Sequence, residues 1–293
     1  MRLPSPVLRY LDTQARVFLQ PPGAPPVDFL SPPGEPALPP ADGISSRLFA
    51  NPITLFVGGV AAVVLELAEP RVRHGVWTFS TFRTDPLGRL RRTGLAAMAT
   101  SYAARSVAEG MIRGVSRLHA RVSGVAEDGR PYRADDPELL RWVGLTAAWA
   151  FSEAWSHYVH PLTAGERDRV WVEAVPGTRL FGVASPPQSA AEAEAIMAAT
   201  PLSPSPILRD FLATMRRVPA FPPLARPLQR LCVEAAVGLL PPATLRTLEL
   251  EPRMPPGGHW AVRAAAQAAD ALPLPNAPWT LARRRLGLAP EMS

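Results

Sequence analysis

Apolar residues recur along this chain at three- and four-residue intervals, interrupted by prolines and short polar caps, a period that belongs to helices rather than strands. Asn51-Pro52 sets an N-cap and a proline at the first helical position ahead of an almost wholly apolar stretch, Ile53 to Leu67. A segment apolar all round, with Gly58 and Gly59 permitting close approach, predicts a central buried helix, and Pro70 ends it. Asp85-Pro86 opens a second helix in the same manner, running through Arg89, Thr93 and Met98. A third spans Ala103 to Val122, with Met111, Val115 and Val122 at helical spacing around a mid-helix His119. Asp128-Gly129 is a turn flanked by strand-like residues and predicts a small hairpin. Asp135 with Glu138 reads as a capping box ahead of Leu139 to Tyr158, a helix carrying Trp142, Trp149 and Trp155. Thr163 with Glu166, and Ser189 with Glu192, repeat that box. The expected fold class is mostly α, a single multi-helix domain of eight or more helices.

Proline sets the boundaries. Residues 21 to 41 hold nine prolines, so they form neither helix nor central strand. They predict a Pro-rich N-terminal arm over residues 1–44, followed by a helical domain over 45–293. Further clusters at 201 to 206, 219 to 227, 241 to 242 and 252 to 256 predict short helices joined by rigid corners.

With 293 residues, 47% of them apolar, the chain can bury a sizeable core. All 31 basic residues are arginine, and the net charge of +6 is scattered instead of gathered into a stripe. That argues against a nucleic-acid partner. The single Cys232 excludes an internal disulfide framework and a multi-cysteine zinc site, and reads as a small buried hydrophobe. The first twenty residues alternate charged with apolar positions and lack a secretory h-region. The longest apolar run, Leu55 to Leu65, falls short of the ~20 residues a bilayer span needs. A soluble, cytoplasmic protein without a transmembrane segment is the expectation.

Among the five histidines, His119 alone falls on a helix face that should be buried. Such an imidazole either hydrogen-bonds a neighbour, with the Val115 carbonyl one turn back as the obvious acceptor, or holds a metal or a haem iron. Arg89, Arg92 and Thr93 share one face of their helix at i, i+3 and i+4. They read either as a solvated arginine face or as donors converging on bound oxygen. Arg113, Arg117 and Arg121 form a separate solvated stripe. Glu153, His157 and His160 have the residue types of a non-haem metal site, though Pro161 takes His160 off the helix. His74 and His259 lie in loop-like contexts and carry no constellation. Neither a phosphate-binding glycine loop nor a nucleophile elbow is present.

Several runs together resemble one known family. They are Leu65-Glu66-Leu67-Ala68-Glu69-Pro70, Gly75-Val76, Ser80-Thr81-Phe82, Asp85-Pro86 and Arg89-Leu90-Arg91-Arg92-Thr93. Leu118-His119-Ala120-Arg121-Val122-Ser123-Gly124, Asp136-Pro137-Glu138-Leu139-Leu140-Arg141-Trp142-Val143 and Pro161 to Trp171 complete the series. Their order and spacing, over about residues 45–250, are similar to the MpaB/rubber-oxygenase family. That family includes latex clearing protein, a b-type haem dioxygenase on a globin-like helical core that cleaves polyisoprene.

The resemblance implies haem b as cofactor and His119 as the axial iron ligand. It further implies Arg89 and Thr93 as distal groups, and Arg92 where latex clearing protein has a lysine, a change that keeps charge but alters donor geometry. Dioxygen and an apolar, alkene-bearing substrate of prenyl or terpenoid type would be its reactants. Three positions depart from the family pattern: Glu69, Phe79 and Gly144 stand where relatives commonly carry histidine. A cofactor-free protein that binds an apolar ligand or a partner on the same scaffold is the alternative.

Overall fold

The computed structural model describes residues 12–13, 23 and 26–288. Among them are thirteen α-helices and one two-stranded hairpin. α1 is Ile44–Leu48, α2 Pro52–Ala68, α3 Pro70–Phe79, α4 Pro86–Tyr102 and α5 Arg105–His119. β1 (Ser123–Val125) and β2 (Pro131–Arg133) follow, then α6 Pro137–Tyr158, α7 Ala164–Leu180, α8 Ala190–Ala199 and α9 Pro206–Arg217. α10 Arg226–Gly238, α11 Pro242–Leu248, α12 Gly258–Asp270 and α13 Pro278–Arg285 complete the chain. The expected mostly α class is observed, and no single helix among the described residues is long and apolar enough to cross a membrane.

α2 is the axis of the molecule because its sequence leaves it no polar face. α6 lies along its length, and α3, α9, α10 and α12 pack around it. Val57, Val64 and Leu65 have no accessible surface, and burying each aliphatic side chain stabilises the fold by about 1.5–3 kcal/mol. Gly58 lets α6 approach: a Cβ there would lie 2.7 Å from the Phe151 ring and 2.9 Å from the Phe151 Cα. The Asn51 side chain accepts from the Ile53 and Thr54 amides at 3.1 and 3.2 Å, capping α2 as its sequence predicts. Its amide also donates to the Ala266 carbonyl at 2.8 Å, tying the cap to α12.

Other local signals resolve in more detail. Thr163 and Glu166 form a reciprocal capping box. Ser189 caps α8, but the Glu192 carboxylate accepts from the Gln188 amide instead of completing the box. The expected Asp135 cap is displaced by one residue: Asp136 accepts from the Glu138 amide, because Pro137 takes the first helical position. Asp135 pairs instead with Arg133. The hairpin at Asp128-Gly129 forms, with Gly129 at φ +81° and Gly124 opposite Tyr132.

Residues 26–43 of the Pro-rich segment are packed onto the body. Phe29 and Leu38 are buried, and Glu35 caps α5 by accepting from the Ser106 amide at 2.6 Å. Arg285, buried on α13, donates to the carbonyls of Phe29, Glu35 and Tyr102 at 2.7–2.8 Å. The segment and α13 thus hold the outer side of the α4–α5 pair.

Candidate functional site

α4 and α5 pack on each other and make no extensive helix-to-helix contact with α2 or α6, though Leu87 and Leu90 of α4 reach the core those two helices form. Where they face each other, the helices carry stripes of half-accessible residues. On α2, buried elsewhere beyond Pro52 and Ile53, these are Leu55, Gly59, Val63 and Glu66, at spacings of four, four and three. On α6 they are Leu140, Val143, Ala147 and Phe151, and the Phe151 ring lies 3.9 Å from where a Gly59 Cβ would stand. α5 divides its own apolar face. Ala108 and Ile112 are fully buried, whereas Val107, Met111 and Val115 stay half-accessible and Leu118 is exposed. These half-accessible apolar positions are the candidates for a ligand-facing surface.

At one end of these stripes Leu55, Phe49 and Met111 close against Leu95, Met98 and Tyr102, in an apolar seal between the start of α2 and the end of α4. At the other end the polar groups collect: Glu66 from α2, Arg89 from α4 and His119 from α5.

Glu66 is the only charged residue in α2, and burial raises its carboxyl to about 7 despite the opposing charge of Arg89. Arg89 is pulled down chiefly by burial, with Glu66 opposing and Arg92 adding. His119 is pulled down by burial first and by Arg89 second, against a weaker pull from Asp135. Its imidazole is therefore neutral near pH 7, the form that ligates a metal. The His119 Nδ1 is buried and has no hydrogen-bond partner. The expected bond to the Val115 carbonyl is not made. Nor is His119 mid-helix: it is the last residue of α5, and the chain leaves it through a turn in which Val122 donates to the His119 carbonyl at 2.9 Å. Nδ1 is walled in, so Nε2 is the nitrogen through which this ring could ligate an iron, without the outer hydrogen-bond partner that metal-bound histidines ordinarily have.

Of the α4 residues, the structure brings Arg89 and Thr93 together. The Arg89 guanidinium donates to the Thr93 hydroxyl, which donates in turn to the Arg89 carbonyl at 2.9 Å. Arg92 turns to the rim, donating to the Thr81 hydroxyl and pairing with the α4 N-cap Asp85 at 3.5 Å. The Arg113, Arg117 and Arg121 stripe is exposed, with Arg113 paired to Glu109.

Glu153, His157 and His160 do not converge. Glu153 pairs with Arg167, His160 leans edge-on against Trp155, and no group of three metal-ligating side chains exists among the described residues. His259 and His74 are better placed than their sequence contexts suggest. His259 is in the first turn of α12, bonded to Tyr158, and His74 on α3 bonds Tyr132 at 2.8 Å. Glu69 is fully buried, caps α3 through the Val72 amide and pairs with Arg71 and Arg130. Phe79 is exposed, and Gly144 faces Thr178. Sequence reasoning passed over Glu66, although a lone carboxylate in a seventeen-residue apolar helix was a visible signal.

A neutral imidazole, a guanidinium and a near-neutral carboxyl, drawn from three helices, thus stand together at one end of these half-open apolar stripes. The chain belongs to the family described as ER-bound oxygenase mpaB/B'/rubber oxygenase, catalytic domain, which it matches over residues 46–271. It is therefore a member of an oxygenase family. No curated protein and no solved structure matches it.

Proposed function

We propose that this protein is a haem b-dependent oxygenase that uses dioxygen on an apolar, alkene-bearing substrate of the prenyl or terpenoid class. The observation that carries the reading is the grouping of a neutral His119 with Arg89 and Glu66 beside the half-open apolar stripes of α2, α5 and α6, which we read as a substrate slot. Family membership supplies the oxygenase class.

His119 would hold the iron, since burial and the Arg89 charge keep its ring neutral. Haem, when bound, supplies the redox-active iron that activates dioxygen. Arg89 brings a fixed positive charge that favours negative charge developing in the slot, and the Thr93 hydroxyl orients that guanidinium by accepting from it. Glu66, with its carboxyl at about 7, holds a proton at Oε near neutrality and can release it at little cost. Leu55, Val63, Val143 and Val115 exclude water and give an alkene chain apolar walls. Arg92 shapes the rim by holding the start of α4 through Asp85.

The test is reconstitution with haemin. The wild-type chain develops a Soret band and converts a polyisoprenoid or carotenoid alkene to carbonyl products detected by mass spectrometry. His119→Ala abolishes the band while circular dichroism keeps its helical signal. Failure of the wild type to take up haem would transfer the slot to the cofactor-free, apolar-ligand reading.

A further inference from the structure

We propose that His157 and His259 form a surface site for one divalent transition-metal ion of the borderline class, such as Zn2+, Ni2+, Co2+ or Cu2+. It lies where the C-terminal end of α6 meets the first turn of α12. The proposal does not depend on the haem reading, because neither histidine is among the residues placed in that site.

The two residues are 102 positions apart in sequence, yet the fold brings their ring centroids to 5.9 Å at an interplanar angle of 58°. Two imidazoles sharing one ion at about 2.0–2.1 Å per nitrogen place their ring centres about 5–6 Å apart, tilted rather than stacked. Both rings are solvent-exposed, so an ion can enter and water can complete its shell. His259 is held for this role. The hydroxyl of Tyr158, a side chain buried to 1% exposure, lies 2.9 Å from His259 Nδ1. If Nδ1–H donates to that oxygen, Nε2 carries the free lone pair, and the tyrosine acts as the outer partner that metal-bound histidines ordinarily have.

His157 packs edge-on against Tyr158 at 4.7 Å, and neither of its nitrogens has a hydrogen-bond partner among the described residues. Burial, then His259, then Arg263 hold its pKa down against Glu153, which favours the unprotonated ring a metal needs. The groups facing the pair are accounted for. Arg263 is anchored, donating to the His157 carbonyl at 2.7 Å, and Glu153 is engaged by Arg167. Imidazole donors on an open, water-completed site select borderline ions over Mg2+ or Ca2+. Such an ion would clamp α12 to α6, the helix that lies along α2.

The experiment uses the full-length chain without an affinity tag, stripped with chelator. Zn2+ is titrated by calorimetry and Co2+ by its visible absorption. One ion per chain is expected, in the micromolar range. His157→Ala and His259→Ala should each weaken binding roughly tenfold or more. Tyr158→Phe, which removes only the outer partner, should weaken it by a smaller factor, and His160→Ala should leave it unchanged. Circular dichroism confirms that these variants are folded. Absence of stoichiometric binding, binding indifferent to both His157→Ala and His259→Ala, or loss of binding in His160→Ala overturns the proposal.

Discussion

Replacing Glu66 by glutamine removes the one ionisable group of the central helix without changing its shape. In the folded protein the carboxyl sits at about 7 against an ordinary 4.5, so it binds its proton roughly 300-fold more tightly than in the unfolded chain. The native state then holds more protons than the unfolded state between pH 4.5 and 7, and stability falls as pH rises through that window. At about 1.4 kcal/mol per tenfold, the full cost above pH 7 has a ceiling of about 3 kcal/mol. Solvent in the slot screens part of it, which puts the expected value at roughly 1–3 kcal/mol. Glutamine is neutral at every pH. Any penalty for its unmatched amide is constant, and the slope alone carries the information. Chemical denaturation of both proteins side by side should show the variant gaining on the wild type from pH 4.5 to pH 8, with the steepest change below 7. All other titrations cancel in the difference. A difference that does not vary with pH would show that Glu66 ionises as an ordinary carboxylate, and would remove it as a proton store in the slot.

The two arginines should separate cleanly. Arg89→Met removes the charge felt by both Glu66 and His119 and should lower turnover by roughly a hundredfold in the reconstituted protein. Arg92→Ala loses a half-exposed pair with Asp85 and a surface hydrogen bond to the Thr81 hydroxyl, together worth about 1 kcal/mol, and should leave turnover within a few-fold. Gly58→Val places methyl groups where the Phe151 Cα and the Ala150 carbonyl already stand 2.9 and 3.0 Å from a Cβ, and should cost about 1–3 kcal/mol or more in a thermal melt. Val115→Phe enlarges a half-open residue one turn before His119. It should leave the melting temperature nearly unchanged while cutting haem uptake, and a large loss of stability would mean the slot is already filled by protein.

What the sequence disclosed was what is local. The caps Asn51, Asp85 and Thr163 act on amides two or three residues away, so their helices could be placed before any packing was known. The Asp135 cap failed by one position because two adjacent aspartates compete and only Pro137 decides between them. α5 was drawn three residues too long at its C-terminus because Val122, though past the helix end, still packs against the core and keeps the apolar period running. His119 was legible as an unusual residue, and Arg89 with Thr93 as a pair, since each depends on spacing within one helix. Glu66 was not, because its protonation depends on burial by the whole assembly and on Arg89 from another helix. The His157 and His259 pair was hidden for the same reason, with a hundred residues between its halves.

The slot itself has no signature in periodicity. An apolar residue that meets another helix and one that faces a gap look identical along the chain. The distinction emerges on α5, where one side of a single apolar face is sealed at Ala108 and Ile112 while the neighbouring sector stays open from Val107 to Leu118. Leaving such a sector uncovered sacrifices hydrophobic stabilisation that a closer α4–α5 approach would have gained. The packed Pro-rich segment and α13 hold that pair from outside through Arg285, Glu35 and Leu38, which keeps it folded without closing it onto α2. Under the oxygenase reading, that half-open sector is where the substrate would lie. His119 lies at the end of that sector where Glu66 and Arg89 also gather.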